Sequence, residues 1–85
     1  MNKDWSDDAW EEYEYWQLQD RRTLAKINKL LKDIERNGVS TGIGKPERLK
    51  YIKAWSREID EVNRLVYDVV AGRLCIYSCK GHYED

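Results

Sequence analysis

The chain has a single histidine, His82, close to its C-terminal end and outside any apolar pattern. An imidazole is the side chain whose ordinary pKa lets it exchange a proton near neutral pH. Taken alone, His82 reads more readily as a surface or packing residue than as a catalyst. Two other residues change that weighing. Glu47 stands just before the stretch in which the apolar period shortens, and Arg64 opens the alternating run Arg64-Leu65-Val66-Tyr67. A carboxylate, a guanidinium and an imidazole are a set that cleaves RNA without a metal. The first takes the 2′-hydroxyl proton, the second meets the charge of the phosphorane, and the third protonates the leaving oxygen. Residue types alone do not bring the three together; the elements that carry them must.

Ser6 followed by Asp7-Asp8 suits a helix N-cap with carboxylates at the positive end of the dipole, and Trp5 and Trp10 stand at the staple positions on either side. Ala9, Trp10, Tyr13 and Trp16 fall on one stripe, which predicts a first helix over about residues 7–18. Asp20 caps a second, in which Leu24, Ile27, Leu31 and Ile34 recur at helical spacing until Asn37-Gly38 closes it. Arg22, Lys26, Lys29 and Arg36 occupy its opposite flank, where a solvated face and a phosphate-tracking face are both open readings. Residues 37–46 form a Gly-rich connector. Its Gly44-Lys45 lacks the Ser or Thr that a phosphate-binding P-loop needs next, because Pro46 stands there.

Beyond Pro46 the period becomes two. Trp55, Arg57 and Ile59 alternate with polar residues, as do Leu65, Tyr67 and Val69 with their neighbours, and Leu74 to Cys79 form a third run. Val62-Asn63 and Ala71-Gly72 turn the chain between them. Short connections predict an antiparallel meander on which the helical hairpin buries its stripe, an α+β domain.

The chain has 85 residues, enough for one small domain, 1–85, with one core. No apolar run approaches the ~20 residues of a membrane helix, and the N-terminus lacks the layout of a secretory signal, so the expected compartment is the cytoplasm. Cys75 and Cys79, if both in one strand, share a face about 13 Å apart, too far for a disulfide, and are expected to be reduced thiols. Two cysteines and one histidine cannot assemble four N/S ligands, so neither structural zinc nor any cofactor is expected. The net charge of −1 argues against a protein that coats nucleic acid by charge alone. Its distribution is uneven. Residues 1–20 carry one lysine against seven carboxylates, whereas the rest carry fourteen basic groups against nine acidic ones, so a positive face remains available to an anionic partner.

Several segments, in order along the whole chain, carry a family resemblance: Trp5-Ser6, Ala9-Trp10, Lys26-Ile27-Asn28, Gly42-Ile43-Gly44-Lys45-Pro46-Glu47, Trp55-Ser56-Arg57, Arg64-Leu65-Val66-Tyr67 and His82-Tyr83. Together they resemble the Txe/YoeB toxins, a branch of the RelE-like toxins of toxin–antitoxin operons. The resemblance implies a short first strand ahead of the helical hairpin, then a twisted antiparallel sheet. It also implies a ribosome-dependent endoribonuclease that cuts messenger in the A site, leaves a 2′,3′-cyclic phosphate and a 5′-hydroxyl, and is held inactive by a YefM/Axe-like antitoxin. A homodimer is a further implication. Glu47 then takes the general-base position, Arg64 that of the transition-state arginine, His82 that of the general acid, and Tyr83 that of the terminal tyrosine that stacks on or orients the nucleotide. Lys50 and Arg57 match basic positions expected to contact RNA phosphates. Asn63 stands where many members carry a histidine, Arg48 where a proline often follows the glutamate, and the link 51–54 is short. Glu84-Asp85 add two carboxylates beyond the usual end, which favours a protonated imidazole and opposes RNA. Two other classes stay open: a ParE-like toxin that binds without cutting, and a non-enzymatic protein-binding module.

Overall fold

The computed structural model describes residues 1–82. Its order is β1 (Asn2–Trp5), α1 (Asp7–Gln19), α2 (Arg21–Asn37), β2 (Glu47–Arg48), β3 (Trp55–Glu58), β4 (Arg64–Val70) and β5 (Arg73–Ser78). The five strands form one sheet in the order β1-β5-β4-β3-β2. The helical hairpin covers one face, an α+β architecture.

Both helices begin where their caps dictate. Ser6 accepts from the Ala9 amide and Asp20 from the amides of Arg22 and Thr23, which satisfies N–H groups that a helix start leaves unpaired. Trp5 and Trp10 meet edge to face at 5.6 Å across the first cap. Ala9 and Trp16 of α1 and Ile27, Leu30, Leu31 and Ile34 of α2 enter the core with Leu65, Tyr67, Leu74 and Ile76 of the sheet. Trp10, expected on the buried stripe, is 45% exposed, because its ring lies against Trp5 and Tyr13 at the rim rather than under the sheet.

Three expectations are corrected. The sheet is mixed: β1 runs parallel to β5, while the other pairs are antiparallel. Both helices and three strands lie between β1 and β5, so no tight turn forces this pair to be antiparallel. Glu47 lies inside the sheet, in the edge strand β2, and not before it. Cys75 and Cys79 do not share a face. β5 ends at Ser78, and the chain turns Cys79 into the core beside Leu74 and Ile76 while Cys75 stays half-buried. Burial, together with the charge of Glu12, pushes the Cys79 thiol up to about 12. Asp4 breaks the apolar alternation of β1 because it joins Arg73 across the β1–β5 pair in a two-bond ion pair.

No helix among the described residues is long and apolar enough to cross a membrane.

Candidate active site

Strand register brings the expected acid and guanidinium together. Glu47 pairs with Ser56, Ser56 with Val66, and Glu58 with Arg64, so all five share a face of the sheet opposite to the one that carries the buried Arg57, Leu65 and Tyr67. Arg64 is largely buried, its side chain 13% exposed. Its Nε donates to Ser56 Oγ at 3.1 Å, which fixes the plane of the guanidinium. Its Nη2 lies 3.6 Å from Glu47 Oε2, an ion pair rather than a hydrogen bond, and is a buried donor with no hydrogen-bond acceptor among the described residues. Glu47 itself is 68% exposed. A fixed cation with a free N–H therefore sits beside an accessible carboxylate, an arrangement that fits an oxygen of a phosphate.

The backbone places His82 at the same end of β4. The Arg64 amide donates to the Gly81 carbonyl at 3.0 Å, so the residue after Gly81 adjoins the start of the strand that carries the arginine. His82 is exposed. Tyr83, the expected nucleotide-stacking residue, lies outside the described residues, as do Glu84 and Asp85.

Lys50 is exposed, in the loop that joins β2 to β3. That loop folds onto the sheet through Leu49 and Ala54, which bury Val66. Arg48 closes it: one guanidinium nitrogen donates to the carbonyls of Leu49, Ile52 and Ala54 at 3.2, 2.9 and 2.8 Å. The shortened link is thus tied by the arginine that stands in the proline's place.

Arg57 is a correction. The expected phosphate contact is fully buried on the helix-covered face. Its guanidinium pairs with Asp33 at 2.5 Å, donates to the Tyr67 hydroxyl at 2.9 Å, and donates to the carbonyls of Gly38, Thr41 and Ile43. An arginine so enclosed has no donor left for RNA. The period-two pattern already put Arg57 in line with Trp55 and Ile59, and that alternation was the better guide to its side. Ser56 had no signal of its own in the sequence, because its bond to Arg64 depends on how β3 and β4 pair.

Comparison with known proteins follows the same direction. Residues 5–83 match the family model of the YoeB-like toxins of bacterial type II toxin-antitoxin systems. The chain is 47% identical to toxin YoeB of Escherichia coli strain K12 over 81 residues, 93% of this chain and 95% of that one. A YoeB dimer from Staphylococcus aureus superposes with a TM-score of 0.93 at 46% identity, covering 98% of each chain. YoeB in a heterotetrameric complex with YefM, from the same organism, gives 0.91 at 47% identity and the same coverage. A match that spans nearly the whole chain in sequence and in backbone settles the family: this chain belongs to the YoeB-like toxins of type II toxin-antitoxin systems.

Proposed function

We propose that the protein is a ribosome-dependent endoribonuclease that cuts messenger in the A site and so stops translation. The observation that carries this reading is the buried Nη2 of Arg64, a cationic donor without a hydrogen-bond acceptor among the described residues, beside the exposed Glu47 carboxylate. Glu47 removes the proton from a messenger 2′-hydroxyl, and the 2′-oxygen attacks the adjacent phosphorus. Arg64 donates to the equatorial oxygens as their charge grows, and a donor fixed and largely removed from water counts for more than one in solution. His82 gives its proton to the departing 5′-oxygen. The products are a 2′,3′-cyclic phosphate and a 5′-hydroxyl, with no cofactor in the step. Tyr83 stacks on or orients the nucleotide, and Lys50 meets a backbone phosphate. Its substrate places the protein in the cytoplasm. A YefM-like antitoxin is its partner and a homodimer its assembly, as in the two Staphylococcus aureus complexes.

The test is incubation with programmed ribosomes and mapping of the messenger ends. The wild type is expected to cut A-site messenger and to fail when the scissile nucleotide is 2′-deoxy. Arg64→Ala should lower the rate about 10²-fold or more with the fold retained, because the guanidinium meets charge and fills little of the core. Equal cleavage by mutant and wild type would sink the assignment, and poisoning without messenger cleavage would favour the ParE-like reading.

A further inference from the structure

The ladder of β5 has ended by Ser78, and a chain end left to itself frays. Here residues 79–81, which lead to His82, are held from two sides. From α1, Glu12 Oε1 accepts from the Cys79 amide at 2.7 Å and Trp16 Nε1 donates to the Cys79 carbonyl at 2.9 Å. From the β3–β4 turn, Asn63 Oδ1 accepts from the Gly81 amide at 2.8 Å, alongside the bond between the Arg64 amide and the Gly81 carbonyl. The bond from the Gly81 amide to Asn63 is thus a side-chain link between this tail and the turn that introduces Arg64.

Asn63 is itself braced. Its Nδ2 donates to both carboxylate oxygens of Asp60, at 3.2 and 3.1 Å, and Asp60 Oδ1 also accepts from the amides of Val62 and Asn63. With the amide nitrogen committed to a carboxylate, the amide oxygen faces Gly81. The alternative flip would set an oxygen against Asp60 and an N–H against the Gly81 N–H.

We propose that Asn63, braced by Asp60, is a positioning residue for His82, tying the segment that carries the general acid to the turn that leads into the transition-state arginine. This rests on the cleavage reading above. A general acid works only within hydrogen-bond reach of the leaving oxygen, and a displacement of about 1 Å can lower a rate about 10²-fold. Asn63 touches no reacting atom; it acts through the backbone of Gly81.

The experiment is single-turnover cleavage on programmed ribosomes with toxin concentration varied, paired with NMR exchange of the Gly81 amide in the free protein. Asn63→Ala should speed Gly81 exchange and lower the saturated rate about 10- to 100-fold, as a misplacement of the general acid by up to about 1 Å would. The half-saturating concentration should move much less. The double exchange Asp60→Asn with Asn63→Asp keeps one donor and one acceptor between the two side chains and an acceptor for Gly81, so it should recover most of the rate. A messenger with sulfur in place of the scissile 5′-oxygen gives a further readout. The P–S bond breaks to a thiolate that needs no proton, so the gap between Asn63→Ala and wild type should close.

Wild-type speed in Asn63→Ala, with Gly81 exchange accelerated, would overturn the positioning role and leave the cleavage reading intact. An undiminished defect on the sulfur substrate would do the same. A wild type that cuts no messenger would remove the cleavage reading, and the positioning role with it.

Discussion

Arg57 and Lys50 are both basic residues near the sheet, yet one is enclosed and the other exposed. A phosphate contact is read by salt: each neutralised phosphate releases counterions, so its loss flattens the dependence of binding on salt. Lys50→Ala should weaken ribosome binding and reduce the logarithmic salt slope by about one. Arg57→Lys should leave that slope unchanged and lower unfolding stability by on the order of 2 kcal/mol, because an ammonium cannot reach the acceptors that the planar fork serves together. Binding measured at several salt concentrations and urea unfolding separate the two. Asp33 makes the same cluster sensitive to acid. The hydrogen bond from Arg57 holds its carboxyl below the ordinary value, against the opposing effect of burial and with help from the Ile43 amide and Asn37. A depressed carboxylate contributes stability that is present above its unfolded pKa, about 3.9, and is lost as pH falls through the lower folded value. The difference in urea midpoint between wild type and Asp33→Asn should therefore be full at pH 6 and shrink below about pH 4.

At the scale of elements, the loop between α2 and β2 is organised around that guanidinium. Arg57 binds three of its carbonyls, and the Tyr67 hydroxyl donates to a fourth, Val39, at 2.6 Å. Glu58 closes the end of the loop through its amide, which donates to the Gly44 carbonyl at 2.7 Å, three residues before Glu47. The approach is too close for a side chain at Gly42, where φ is +130° and a Cβ would strike the Asp33 carboxylate and come within 2.9 Å of Arg57 Nη1. Gly72 in the β4–β5 hairpin also has positive φ, +74°, but open space around it. Gly42→Ala should accordingly cost about 3 kcal/mol in urea unfolding, against about 1 kcal/mol for Gly72→Ala. Equal losses would mean that backbone strain alone sets the requirement and that the carboxylate moves aside freely.

Over the whole molecule, the acidic residues gathered in the first quarter of the chain sit largely on α1, which packs against β5 and holds Cys79 through Glu12 and Trp16, whereas Glu47 and Arg64 stand on β2 and the start of β4. Control by an antitoxin fits the open character of the site: Glu47 and His82 are exposed, and no lid stands over them among the described residues. A disordered antitoxin segment is expected to fold onto the toxin and cover or displace the surroundings of Glu47 and His82. Messenger cleavage on programmed ribosomes should stop when antitoxin is added at equimolar concentration, and a complex that cuts as fast as free toxin would contradict this.

Periodicity and caps determined the helices, the three long strands and their turns, because those signals are local: Ser6 and Asp20 cap their own helices, and Ala71-Gly72 supplies the two positive φ angles a tight hairpin needs. Glu47, Arg64 and His82 stood out by residue type and by the family resemblance, and strand register brings the first two within 3.6 Å. What only the tertiary structure decided is each partner distant in the chain. Arg57 is enclosed because α2, the Gly-rich loop and Tyr67 converge on it, and the direction of β1 follows from packing against a partner some seventy residues on, which no local turn dictates. Asn63 reaches Gly81 across eighteen residues. A one-dimensional pattern reports which face a residue takes within its own element; which charge, carbonyl or strand waits opposite depends on how the elements pack, and a single buried hydrogen bond leaves no period to read.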